Sequence, residues 1–208
     1  AKIKGNEERT GRRMNQFFSM LSRMKYINRW GLMRNTQSEN IAEHSLDVAV
    51  LAHALALLRT RRFGVPCDAE RAAVLGLFHD ATEIITGDLP TPVKYHSPEI
   101  RRAYGEVESL AADRLLAMLP ADLRGDYAPL LAGGAPGDEA LLPLVKAADK
   151  ISAVIKCVEE RKTGNREFLA AEETLRRTIA EMRLPEADVF LTAYEQSLDE
   201  LRGEDGNG

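Results

Sequence analysis

The segment Leu77-Phe78-His79-Asp80-Ala81-Thr82-Glu83 sets an imidazole and two carboxylates at the end of an apolar helical face. Burying unpaired charge is strongly unfavourable, so such a group is usually paired or bound to a metal. On a helix, Glu83 lies one turn from His79 and Asp80 and on the same side as both. A His-Asp dipeptide is weak by itself, and a salt-bridged helix surface would explain it. Two further positions raise the metal reading. His44 follows Glu43 near the start of a helix, and Asp149 sits in the apolar context Leu144-Val145-Lys146-Ala147-Ala148-Asp149-Lys150-Ile151. Two imidazoles and two carboxylates form a mixed nitrogen and oxygen set suited to Mn²⁺, Co²⁺, Fe²⁺, Zn²⁺ or Mg²⁺, with no thiolate to select copper or iron–sulfur clusters. An octahedral ion held by all of them keeps open positions for a water and a substrate oxygen.

Other residues are weighed the same way. Trp30 is the only tryptophan and lies beside Arg29 in a polar loop, not on an apolar helix face, so a sugar or base contact is reasonable. The Gly87-Asp88-Leu89-Pro90-Thr91-Pro92 run reads, on residue types alone, as a stiff connector. His53 shares a helix with His44 but lies ~13 Å along its axis, so the two cannot meet at one ion. His96 reads as a surface residue, and Lys94 as either a phosphate contact or a solvated lysine. Asp47, one turn from His44, is either a carboxylate that holds the imidazole or a surface ion pair.

The elements that must position these groups are helical. Apolar residues recur at three- and four-residue spacings, and no alternating Val/Ile/Thr run is bounded by hairpin turns. Phe17, Phe18, Leu21 and Met24 trace a short helix, followed by a loop from Asn28 to Asn40. Ala42 to about Arg62 reads as one long helix with Leu46, Ala49, Val50, His53 and Leu57 on a face, ended by Arg59, Arg61 and Arg62 in water. Gly64-Val65-Pro66 breaks it. Asp68 caps a helix whose face Ala72, Leu75, Phe78, His79 continues towards Ile84. Ser97-Pro98-Glu99 opens a helix to about Leu119. Further helices are expected from Ala121 to Leu131, from an Asp138 cap to about Arg161, from Asn165 to Met182 and from Glu186 to Arg202. The expectation is an all-α fold of seven or eight helices around the site: one domain over 14–202, a polar tail over 1–13 and a disordered tail over 203–208. Leu169, Leu175, Ile179, Met182, Leu184, Phe190, Leu191 and Leu198 either complete the core or pack against a second copy.

Composition excludes several classes. With 28 Lys+Arg against 32 Asp+Glu the formal charge is −4, unlike a protein that wraps a nucleic acid polymer. Cys67 and Cys157 form no CxxC pair, which fits reduced thiols in the cytoplasm. The longest apolar stretch, Val48 to Leu58, is broken by His53 and falls short of the ~20 residues of a membrane span. The first thirteen residues are charged and carry no apolar signal region.

The order His44, then His79-Asp80, then Asp149 resembles the H…HD…D signature of the HD-domain phosphohydrolase superfamily. Together with Arg29-Trp30-Gly31-Leu32-Met33-Arg34-Asn35, Glu43-His44-Ser45, His79-Asp80-Ala81-Thr82-Glu83, Gly87-Asp88-Leu89-Pro90-Thr91-Pro92-Val93-Lys94-Tyr95 and Ala147-Ala148-Asp149-Lys150, the chain resembles the bacterial 5′-deoxynucleotidases. The match runs in motif order from about Asn15 to Glu160. This resemblance implies an all-α homodimer that hydrolyses deoxyribonucleoside 5′-monophosphates to deoxyribonucleosides and phosphate. One divalent ion per subunit, Co²⁺ or Mn²⁺ in the first place and Zn²⁺, Fe²⁺ or Mg²⁺ as alternatives, is held by His44, His79, Asp80 and Asp149. The resemblance further assigns catalysis to Arg29, which orients the phosphate, and Glu83, which positions or deprotonates water. Substrate contacts fall to Arg29, Trp30, His44, Asp80, Asp88, Leu89, Pro90, Thr91 and Asp149, with Trp30 excluding a ribose 2′-hydroxyl and Asp88 accepting from the 3′-hydroxyl. The alternatives are an HD phosphohydrolase for a triphosphate, a cyclic nucleotide or an alarmone, and a catalytically silent helical binding module.

Overall fold

The computed structural model describes residues 16–94 and 96–204, with side chains to Ser197. The tail expected over 1–13, Tyr95 and the last four residues lie outside the described residues. Among those described, nine α-helices and no strand form the fold, as the periodicity implied. Residues 16–21 are helical and pass into a 3₁₀ turn at Ser22–Tyr26. Then follow α1 (Ile41–Phe63), α2 (Ala69–Phe78), α3 (Glu83–Thr86), α4 (Thr91–Lys94), α5 (Pro98–Ala117), α6 (Arg124–Leu131), α7 (Leu142–Lys162), α8 (Leu169–Glu181) and α9 (Pro185–Glu204). The chain divides into two compact units, Ala1–Asp47 with Leu77–Glu139 and Val48–Gly76 with Ala140–Gly208.

In the first unit the start of α1 is set by a reciprocal cap. Asn40 Oδ1 accepts from the Ala42 and Glu43 N–H groups at 3.0 and 3.1 Å, while Glu43 Oε2 accepts from the Asn40 N–H at 3.2 Å. That arrangement satisfies otherwise orphaned donors and fixes where His44 falls. The loop from Asn28 to Asn40 is closed by an antiparallel bridge between those two residues. The expected helix through His79 instead stops at Phe78. Residues 79–82 form a turn with three-residue hydrogen bonds, Ala81 N–H to Phe78 O and Glu83 N–H to Asp80 O, both 3.0 Å. Asp and Thr compete with helical hydrogen bonding, and this turn swings consecutive side chains inward. Phe17, Ala81, Ala112, Leu115, Leu119 and Leu131 form the buried core, with Tyr127 meeting the Phe17 ring edge-on at 5.1 Å. Ser97 caps α5 through Ile100 N–H at 3.3 Å, as expected.

In the second unit α1 buries Val48, Ala52, Leu55 and Ala56 and leaves Val50 and Leu57 exposed. Of the expected pattern Leu46, Ala49, Val50, His53 and Leu57, Ala49 is buried and His53 half-buried, while the three larger aliphatic side chains are exposed. Gly76 of α2 makes one close approach to this helix: a Cβ there would stand 3.0 Å from the Ala49 Cα. Arg59, expected in water, pairs with buried Glu186, Nε to Oε1 2.8 Å, and donates to the Ala140 carbonyl at 3.0 Å. Asp68 caps α2 through Arg71 N–H at 2.8 Å. Asp138, at the end of the first unit, does not cap α7; it accepts from Ala135 N–H at 2.7 Å and braces the glycine-rich loop. Ile179 is buried and Leu175, Met182, Leu184, Phe190 and Leu191 are half-buried, so most of the terminal apolar set lies within this unit; Leu198 lies outside the described side chains. Of the described helices, α1 alone has the length and composition of a membrane span, and half of its most apolar stretch is buried, as in a core helix.

Candidate active site

The first unit brings the two histidines onto one aspartate. His44 Nε2 lies 3.6 Å and His79 Nε2 3.1 Å from Asp80 Oδ2, with the ring centroids 5.2 Å apart. The cap at Asn40 delivers His44, fully buried, and the turn after Phe78 delivers the other two. Two imidazole nitrogens converging on a carboxylate oxygen fit a divalent cation of borderline character. The local charge agrees. Glu83 is buried, and its carboxyl is pushed up to about 9, by burial first and then by the negative charges of Asp80 and Asp88. Such a site is short of positive charge. Asp149, expected as the fourth ligand, stands half-buried on α7 in the second unit, its Oδ2 2.8 Å from Lys150 Nζ.

The loop residues form a second connected group. Arg29 Nη1 and the Trp30 indole N–H both donate to Glu39 Oε2, at 2.9 and 2.7 Å, and the arginine carbon lies 5.7 Å from the centre of the indole. The Trp30 backbone N–H donates to the Asp88 carboxylate. Asp88 is half-buried, and its carboxyl is held above its ordinary value by burial, against the pull of Arg29. Gly87, at φ 74°, takes a conformation few other residues adopt and turns the chain towards Asp88. Tyr104 on α5 pins this corner by donating to the Gly87 carbonyl at 3.2 Å. Leu89 and Pro90 are half-buried and Thr91 is exposed at the start of α4. Lys94 is paired with Glu108 at 2.7 Å and sits 4.6 Å over the Tyr104 ring. Burial alone would lower its pKa, but Glu108 outweighs that and holds it above the ordinary lysine value.

Glu39 and Tyr104 are site residues that sequence reasoning missed. Asp47 is exposed, and the carboxylate facing the outer nitrogen of His44 is Glu39, its Oε1 4.0 Å from Nδ1. No periodicity announces a contact between loop positions ten apart; the only sign was an acid between the polar loop and the capping Asn40. His96 is exposed and His53 half-buried on α1, as expected of residues outside the site.

Comparison with known proteins gives the same picture. The model of the YfbR-like 5′-deoxynucleotidase family matches residues 16–198. A curated 5′-deoxynucleotidase of Photorhabdus temperata is 48% identical over 192 residues, 90% of this chain and 97% of that protein. One from Vibrio vulnificus is 48% identical over 189 residues, 89% and 97% of the two chains. Among solved structures, an HD-domain phosphohydrolase from Listeria innocua superposes with a TM-score of 0.75 at 26% identity, covering 86% of each chain. The HD phosphohydrolase of cyanophage S-2L, solved bound to dA and one catalytic Zn²⁺ ion, shares the fold with a TM-score of 0.62 at 23% identity, over 88% of this chain and 96% of that one. With a family match over residues 16–198 and a curated relative 48% identical over 90% of the chain, the chain belongs to the YfbR-like 5′-deoxynucleotidases.

Proposed function

We propose that this 5′-deoxynucleotidase, a phosphoric monoester hydrolase, works around one divalent ion held by His44, His79, Asp80 and Asp149. The observation that carries the reading is the connection of Arg29, Trp30 and Asp88 through shared hydrogen bonds next to the paired imidazoles. Hydrolysis of a phosphomonoester requires a neutralised dianion, an aimed water and a stabilised leaving oxygen. When bound, the ion supplies Lewis acidity, polarising a phosphate oxygen and lowering the pKa of a water. Arg29 offers a planar fork of donors to the phosphate. Glu83, buried a turn from His79 and Asp80, positions the water and takes its proton. Trp30 stands as a rigid wall against a 2′-hydroxyl, Asp88 accepts from the 3′-hydroxyl, and Leu89, Pro90 and Thr91 complete the pocket. His44, Asp80 and Asp149 would contact the substrate as well as hold the ion.

Co²⁺ and Mn²⁺ are the ions we assign first, with Zn²⁺, Fe²⁺ and Mg²⁺ as substitutes, since a nitrogen and oxygen set accepts them all. A cytoplasmic enzyme whose catalytic domain spans 14–202 fits the balanced charge and two cysteines that form no disulfide. A second copy of the chain is the partner we propose, seated on the α1 stripe of Leu46, Val50 and Leu57, which are 58%, 61% and 40% exposed. Neither a membrane nor a nucleic acid polymer is required. The test is phosphate release from dAMP, AMP and dATP in parallel, with each ion supplied in turn. Release from dAMP should dominate; no release from any deoxyribonucleoside monophosphate would overturn the reading. Faster turnover of the triphosphate would favour the alternative, an HD phosphohydrolase for another nucleotide.

A further inference from the structure

We propose that Glu39 is a positioning residue that couples phosphate binding to deoxyribose selection. One oxygen of its carboxylate receives both the Arg29 guanidinium and the Trp30 indole, at 2.9 and 2.7 Å, with the Arg29 and Glu39 side chains each only 12% exposed. The main chain ties the two positions together: Arg29 N–H donates to the Glu39 carbonyl at 2.9 Å, beside the Asn28–Asn40 bridge.

Trp30 needs such restraint. Its φ is 61°, a left-handed conformation that costs a bulky residue ~1–2 kcal/mol and persists only where the surroundings over-determine it. The surroundings do so from every side. The indole N–H is held by Glu39 and the backbone N–H by Asp88, while the Trp30 carbonyl accepts from Met33 N–H at 2.9 Å and Asn35 Nδ2 at 3.4 Å. The Glu39 bond holds the ring itself, at its indole N–H. A wall that rejects a hydroxyl by contact must not rotate away, and the residue that stops this rotation is also the one that aims the arginine. The inference rests on the nucleotidase reading for what the pair recognises, but the clamp is a property of the chain and can be read separately.

Because Trp30 is the only tryptophan, its fluorescence reports the clamp without any turnover. Glu39→Ala should lower the indole anisotropy, increase quenching by acrylamide and shift emission to the red. Glu39→Gln, which keeps an acceptor oxygen but not the charge, should retain most of the indole restraint while weakening inhibition by inorganic phosphate. In turnover with the ion present, Glu39→Ala should reduce the dAMP-to-AMP ratio of kcat/KM by roughly tenfold or more, the scale of a lost steric wall. Trp30→Ala should do the same, and the double variant should lose no more than either alone. Unchanged fluorescence in Glu39→Ala overturns the clamp. A freed indole with an unchanged substrate ratio overturns the coupling, because loss of fold alone would reduce dAMP and AMP turnover together. A parent that hydrolyses neither nucleotide, yet whose indole is freed by Glu39→Ala, condemns the nucleotidase reading and leaves the clamp standing.

Discussion

Replacing Glu83 by glutamine should remove activity and at the same time stabilise the ion-free protein, by an amount that grows with pH. In the unfolded chain this carboxyl loses its proton near 4.5, whereas in the fold it is pushed up to about 9, by burial and then by Asp80 and Asp88. Between those values the unfolded state holds fewer protons, so stability falls as pH rises from the lower to the upper value. Each pH unit in that window costs about 1.4 kcal/mol, which gives a penalty of roughly 3 kcal/mol near pH 7. Glutamine does not titrate and escapes it, although its buried amide N–H costs ~1 kcal/mol if it finds no acceptor. A net gain of about 2 kcal/mol corresponds to roughly 4–8 °C in the melting temperature of a chain this size. The assay is a series of thermal melts of parent and Glu83→Gln in chelator, from about pH 5 to about pH 8. The difference should be near zero or slightly negative at the acid end and largest at the alkaline end. Adding Mn²⁺ or Co²⁺ should narrow it, since a nearby cation draws the carboxyl pKa down. A difference that is flat with pH would refute the argument, because it would mean that Glu83 is not held neutral by its surroundings.

Gly76→Ala should destabilise the protein by ~1–3 kcal/mol, read from urea or thermal melts: the new Cβ meets Ala49 Cα at 3.0 Å, its nitrogen at 3.1 Å and the Val48 carbonyl at 3.1 Å, and rigid helix backbone cannot yield as a side chain could. The ~1 kcal/mol that alanine ordinarily adds to a helix is outweighed, and a stabilised variant would show that the helices part easily. Leu46→Glu combined with Val50→Glu should halve the solution mass measured by light scattering if the α1 stripe seats a second copy; an unchanged mass would place the contact elsewhere.

How far the sequence announces this site follows from the range of the interactions involved. His44 and the start of α1 are legible because a cap is local: Asn40 and Glu43 are three apart and satisfy each other's backbone. The all-α class is legible for the same reason, through spacing along a single helix. Which face of α1 is buried is harder to read, because hydrophobicity and small size compete. Leu46 and Val50 look like core, yet the buried face carries Val48, Ala52 and Ala56, whose size lets helices approach. The break after Phe78 was missed because His79-Asp80-Ala81-Thr82 keeps near-helical spacing while changing its hydrogen bonds by one residue.

Residues whose partner is distant in sequence and not periodic are the ones that escape. Arg29 and Trp30 drew attention through their chemistry, but their shared acceptor Glu39 lies across a bridged loop, and Tyr104 reaches Gly87 from another helix. This division is physical. The groups proposed to meet the substrate are unusual residue types in unusual places, whereas the groups that hold them are ordinary acids and phenols whose role comes from where the backbone brings them. A carboxylate in a polar loop normally stays solvated; two donors on one of its oxygens, next to an imidazole, make this one part of the site. Substitutions at Glu39 should therefore separate from general loss of stability in a way that substitutions at the solvated acids of the same loops do not, and that separation is what distinguishes a support of the active site from a surface charge.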